Sequence, residues 1–124
     1  MDHEEGMKTR REVLGDEHVN RATASAGDFE APFQDLITKY AWGAVWSRPG
    51  LDRRTRSAIT LAALVSVRAE KELALHVRAS LRNGLRPEEI AEVLLHTAVY
   101  AGVPAANAAF AVAREVLREE GAID

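Results

Sequence analysis

A chain of 124 residues, 47% hydrophobic and 28% charged, has the size and balance of one globular domain rather than of a disordered segment. A net charge of -3, with aromatics that are not interleaved with a basic patch, argues against a general nucleic-acid binder. The absence of cysteine excludes disulfides, thiolate metal sites and a cysteine nucleophile, and it fits a reducing cytoplasm. The opening MDHEEGMKTRREVLG lacks the apolar core of a signal peptide. No apolar run approaches the ~18 residues of a membrane span. The expectation is a cytoplasmic protein with neither membrane nor nucleic acid as partner.

In chain order, residues 1–6 are polar and expected to be disordered. Met7 to Leu14 suits a short helix closed by Gly15, and Asp16 caps a second polar helix that Gly27 ends. Asp28 is the N-cap of a third helix, with Pro32 in its first turns. Phe33, Leu36, Ile37, Tyr40 and Ala41 give it the i, i+3, i+4, i+7, i+8 stripe of an amphipathic helix. Arg48-Pro49-Gly50 breaks it. Asp52 caps a fourth helix, nearly apolar over AITLAALVSV (58–67), which predicts a central helix buried on all sides. A fifth helix runs from about Glu70 to Asn83 and stops at Gly84. Pro87 opens a sixth, with Ile90, Val93, Leu94, Thr97, Ala98 and Ala101 on its core face and Gly102 as its end. Pro104 starts a seventh, whose alanines permit close helix contact. With no period-2 segment, no repeat and no linker, the chain predicts one all-α domain over 1–124.

Two Glu/His pairs carry chemical content. Glu72 and His76, four residues apart, share one helical face at the boundary of the apolar stripe. A sheltered imidazole beside a carboxylate is the make-up of a tuned acid/base; the plainer alternative is a routine i, i+4 hydrogen bond. Glu92, His96 and Tyr100 repeat the spacing on the sixth helix. Leu95 and Val99 lie beside them, so that side is also expected to be covered, and a buried histidine satisfied by Tyr100 is the competing reading. A metal would need three or four converging ligands, and no known metal signature is present. Arg48, Arg53, Arg54 and Arg56 form a basic cluster. Three of them lie in the first turn of the fourth helix, where the dipole disfavours cations. Either an ion-pair network or a carboxylate substrate offsets that. Arg10 and Arg11 form a second basic pair. Trp42 and Trp46 are i, i+4 neighbours beside Arg48; core packing is the default, with Trp46 available to wall a pocket.

Taken in order, RREVLG (10–15), ITKYAWGAVWSRPGLDRRTRS (37–57), ELALHVRASLRNGLRPEEIAEVLLHTAVYAGVP (72–104) and the alanine-rich last helix resemble the carboxymuconolactone decarboxylase family. The resemblance implies an alkylhydroperoxidase-D-like helical fold of six to seven helices and a homo-oligomer, often a hexamer. It implies decarboxylation of 4-carboxymuconolactone to 3-oxoadipate enol-lactone in aromatic (protocatechuate) breakdown. Thiol peroxidases of the wider superfamily carry Cys-x-x-Cys followed four residues later by His; the matching positions here are Ala69, Glu72 and His76. Both thiols are missing, so peroxidase activity does not carry over.

The substrate so implied, a dicarboxylate lactone, holds its own electron sink, so no metal and no organic cofactor is required. His76 oriented by Glu72 is the expected proton donor, and His96 or Tyr100 serves the oxyanion. Arg48 with Arg53, Arg54 or Arg56 anchors the carboxylates, and Trp46 shields the one that leaves. A cofactor-free lyase or isomerase acting on another small carboxylated lactone, and a non-catalytic oligomer binding a small acid, are the alternatives.

Overall fold

The structure, a computed structural model, describes residues 2–124, and its described residues form helices joined by short turns, with no strand. They fall into two compact units, residues 1–52 and 53–124. The all-α expectation holds.

In the first unit, α1 spans His3–Leu14. Asp2 caps it, accepting from the Glu4 N–H at 2.9 Å, so helix replaces the expected disorder from His3 onward. Met1 lies outside the described residues. Next, α2 spans Asp16–Ile37 and joins the second and third predicted helices across a break at Gly27 (φ 59°, ψ -170°). A π-helical segment, Thr38–Trp46, continues it. The predicted stripe is not the buried face: Phe33, Leu36 and Tyr40 are exposed, whereas Thr38 and Trp42 are buried. Close backbone approach explains the difference. Gly6 of α1 lies so near the Thr38 carbonyl that a Cβ there would overlap its oxygen, and Gly43 sits 3.5 Å from the Gly6 Cα on the same measure. α1 therefore docks on the small-residue side of the segment, which carries Thr38 and Trp42.

The second unit is four helices: α3 (Arg53–Ser66), α4 (Glu70–Arg82), α5 (Pro87–Ala101) and α6 (Val103–Glu119). Both α4 and α5 pack on α3 and α6. Leu61, Val65, Leu73, Val77, Ile90 and Leu94 meet Ala105, Ala109, Ala113 and Leu117 in one core cluster. The predicted core face of α5 and the close-packing alanines of α6 are in place. The expectation of an all-round buried α3 is not met. Leu61 and Val65 are buried, but Ile59 is 53% and Val67 72% exposed. A four-helix unit covers one side of each helix and encloses none of them.

The turns explain the helix ends. After α4, the Leu85 N–H bonds the Ser80 carbonyl and the Gly84 N–H bonds that of Leu81, the two bonds of a Schellman motif with Gly84 at the left-handed position (φ 103°). The same pair of bonds closes α3, from Ala69 to Leu64 and from Arg68 to Val65. There the left-handed residue is Arg68 (φ 61°), the one non-glycine with positive φ among the described residues.

Candidate active site

His76 lies in the middle of α4, half-buried, on a helix whose Leu73, Val77 and Ser80 face the core. Glu72 is exposed in the first turn of the same helix. α3 and α4 form an antiparallel hairpin, closed at its far end by Asn83 Nδ2 donating to Ser57 Oγ at 3.1 Å. At ~1.5 Å per residue, His76 stands ~10 Å along α4 from that bond. The arginines of the first turn of α3 flank Ser57 at that far end.

The three arginines differ. Arg54 is ion-paired with Glu89 in the first turn of α5, and its aliphatic stem lies against Gly84. Glu89 also receives the Arg86 N–H at 3.0 Å and the Arg86 Nε at 3.3 Å. Arg54 therefore fits the ion-pair alternative. Arg53 and Arg56 are half-buried, and each is engaged in a polar or electrostatic interaction.

On α5, the rings of His96 and Tyr100 lie 5.5 Å apart and tilted by 43°, so the i, i+4 pair expected from the sequence is formed. It is not covered, however. Tyr100 is 81% exposed, and Leu95, Val99 and Val103 beside it are exposed as well. Thr97 is the buried polar residue of this helix, its hydroxyl donating to the Val93 carbonyl at 2.7 Å. Among the described residues, no three His, Cys, Asp or Glu side chains are grouped to hold a metal ion.

Trp46 and Arg48 belong to the first unit. The Trp42 and Trp46 rings are 5.2 Å apart at 36°, with Trp42 buried and Trp46 half-buried. Arg48 is exposed, just beyond the π-helical segment, and its N–H bonds the Val45 carbonyl at 3.1 Å. A helix with i→i+5 bonding is rare and is frequent at functional sites. Apolar periodicity had no means of announcing it, because the 3.6-residue pattern continues through it.

Each unit also has a cleft that carries none of these residues. In the second unit, Ile90, Leu94, Phe110, Leu117 and Ile123 line an apolar groove of about 460 Å³ between α5, α6 and the C-terminal tail. In the first, a cleft of about 240 Å³ is lined by Arg10, Gln34, Asp35 and Thr38 among others.

Residues 31–115 match the carboxymuconolactone decarboxylase family. The chain is 47% identical over 119 residues to the 4-carboxymuconolactone decarboxylase of Acinetobacter baylyi, covering 96% of this chain and 89% of that one. It is 45% identical over 116 residues to a nitrosuccinic acid decarboxylase of Metarhizium robertsii, covering 94% and 81%. A 4-carboxymuconolactone decarboxylase of Pseudomonas putida matches over 41 residues at 46% identity, 33% of this chain and 85% of that one. The chain belongs to the carboxymuconolactone decarboxylase family. Among its described residues no helix is long and apolar enough to cross a membrane.

Proposed function

We propose that this protein decarboxylates 4-carboxymuconolactone to 3-oxoadipate enol-lactone without metal or organic cofactor, in the cytoplasm, as a homo-oligomer. The observation that carries the reading is 47% identity over 96% of the chain to a decarboxylase of that name. The family match runs through the boundary between the two units, which supports treating residues 1–124 as one functional domain.

The chemistry asks little of the protein. Cleavage of the bond from the γ-carbon to its carboxylate releases CO2, and the electron pair spreads as a dienolate to the lactone carbonyl oxygen. His76, with Glu72 one turn away, returns a proton to the ring carbon. His96 or Tyr100 donates to the oxyanion. Arg48, Arg53 and Arg56 hold the carboxylates, while Arg54 fixes α5 through Glu89. Trp46 keeps water from the carboxylate that leaves.

The open face of α5 supports assembly. Leu95, Val99, Tyr100 and Val103 are exposed in the single chain, and a hexamer that covers them would also desolvate His96. Val99→Asp is expected to dissociate the oligomer in sedimentation experiments; an unchanged sedimentation coefficient would place the interface elsewhere.

A second reading is favoured by one observation, the 45% identity to a nitrosuccinic acid decarboxylase. A nitro group, like the lactone carbonyl, accepts the electron pair left by CO2. The deciding experiment presents chelator-treated protein with 4-carboxymuconolactone and, separately, nitrosuccinate, following enol-lactone formation and CO2 release. Turnover of the lactone alone supports the first reading. Turnover of nitrosuccinate alone supports the second. Neither, with a folded oligomer, sinks both.

A further inference from the structure

The first unit buries a cation without giving it an acid. Arg10, on α1, is only 4% exposed. A guanidinium has five N–H donors and no acceptor. Two are used: Nη1 donates to Thr38 Oγ1 at 3.2 Å, and Nη2 to Gln34 Oε1 at 3.0 Å. Both acceptors are neutral, and Nε is buried with no hydrogen-bond partner. The acid on the same wall, Asp35, is engaged elsewhere, by Lys39 Nζ at 3.0 Å and His3 Nε2 at 3.7 Å. No carboxylate pairs with Arg10 among the described residues. Burial first, and then the charge of Arg11, push the Arg10 guanidinium below its ordinary pKa, so its surroundings disfavour the charge they enclose. A buried charge left without an opposite partner is costly, and folded proteins ordinarily supply one.

The same side chain lines the cleft of about 240 Å³, with His3, Met7, Gln34, Asp35 and Thr38. At ~30 Å³ per water molecule, that is space for a small organic acid. Gln34 gives its oxygen to Arg10, which leaves its amide N–H groups as further donors. Thr38, the other partner of Arg10, opens the π-helical segment. A single buried guanidinium suits the planar carboxylate group of a small acid, which it can meet edge-on, better than a compact phosphate dianion.

We propose that this cleft is an anion site of the first unit, in which the carboxylate of a small organic acid is the counter-ion that Arg10 lacks. None of its residues belongs to the proposed catalytic set, so the two readings fail separately.

The test titrates succinate into the purified protein at fixed ionic strength, following heat of binding and the unfolding midpoint. Four chains are compared: the unaltered protein, His76→Ala, Gln34→Glu and Arg10→Met. Gln34→Glu puts a carboxylate where the amide oxygen now meets Nη2 and so neutralises Arg10 from within. The unaltered and His76→Ala chains are expected to bind succinate saturably and to melt higher with it. Gln34→Glu is expected to melt higher without ligand and to lose at least tenfold in affinity. Arg10→Met keeps the apolar stem, loses the cation, and is expected to lose the same affinity. An equal response in the unaltered protein, Gln34→Glu and Arg10→Met overturns the proposal. So does a response lost in His76→Ala but kept in Gln34→Glu, which puts binding at the catalytic histidine. Binding of inorganic phosphate and not succinate overturns the carboxylate class. If no small anion binds and Arg10→Met dissociates the oligomer, the counter-ion comes from a second copy and the proposal falls.

Discussion

Arg54, in the first turn of α3, forms an ion pair with Glu89, in the first turn of α5. The two residues are not equal partners. Glu89 also caps its own helix through the Arg86 N–H, and an acid suits a helix N-terminus where an arginine does not. Glu89→Ala is expected to cost about 1–2 kcal/mol, the worth of a cap plus a partly exposed pair. Arg54→Ala, with the arginine half-exposed, is expected to cost under about 1 kcal/mol. Urea unfolding measures both. Arg54→Ala is expected to leave kcat/KM within a few-fold, whereas Arg53→Ala and Arg56→Ala raise KM strongly. A large loss of kcat/KM in Arg54→Ala at unchanged stability would return Arg54 to the substrate.

Removal of the half-buried imidazole is expected to act on kcat. His76→Ala should lower it by about 10²–10⁴, the usual worth of a positioned proton donor, with the circular dichroism of the folded chain retained. His96→Ala is expected to lose less, because that ring is exposed on α5 and tilted against Tyr100. If the two losses are reversed in size, His96 is the proton donor and α4 the support.

The turn after α3 is a place where the protein is less stable than it need be. Arg68 holds a left-handed conformation at the position where Gly84 closes the next helix. Arg68→Gly is expected to stabilise by about 0.5–1 kcal/mol, after allowing for the looser unfolded chain. Its ion pair with Glu70, 3.4 Å long and half-exposed, offsets little of that. A lower midpoint in thermal unfolding would show that the arginine side chain matters more than its backbone.

At Gly6 the opposite holds. A methyl group there meets the Thr38 carbonyl, which belongs to a backbone and cannot swing aside. Gly6→Ala is expected to destabilise by about 1–3 kcal/mol, as overpacking does, and to loosen the hold of α1 on the π-helical segment. Chemical denaturation with tryptophan fluorescence reads it, because Trp42 is buried in that segment.

Much of this fold was legible because helix punctuation is local. Gly15, Gly84, Pro87 and Gly102 mark the ends of real helices, and Gly27 marks a real break, since each acts through its own backbone. What apolar pattern could not convey was which face is covered. The run 58–67 reads as buried all round, yet Ile59 and Val67 are open in the chain. Phe33, Leu36 and Tyr40 read as a core stripe, yet close approach at Gly6 and Gly43 selects the other side of the helix. The Glu/His spacing was legible for the same reason as the caps: it is short-range. The neutral surroundings of Arg10 were not, because Gln34 and Thr38 reach it from 24 and 28 residues away.

The uneven distribution of core between the two units has a kinetic consequence. Among the described residues, Val13, Val19 and Trp42 are the buried hydrophobic side chains before residue 53, whereas residues 53–124 hold the whole large cluster. Of the later helices, α3 with α4 and α5 with α6 pack as sequence neighbours in short hairpins, local contacts of the kind that form quickly. Amide protons of α1 and the π-helical segment are therefore expected to exchange through partial openings of low free energy, and those of α4 and α6 only through global unfolding. Chains refolding from denaturant would then form the histidine helices before the segment bearing Trp46 and Arg48 settles.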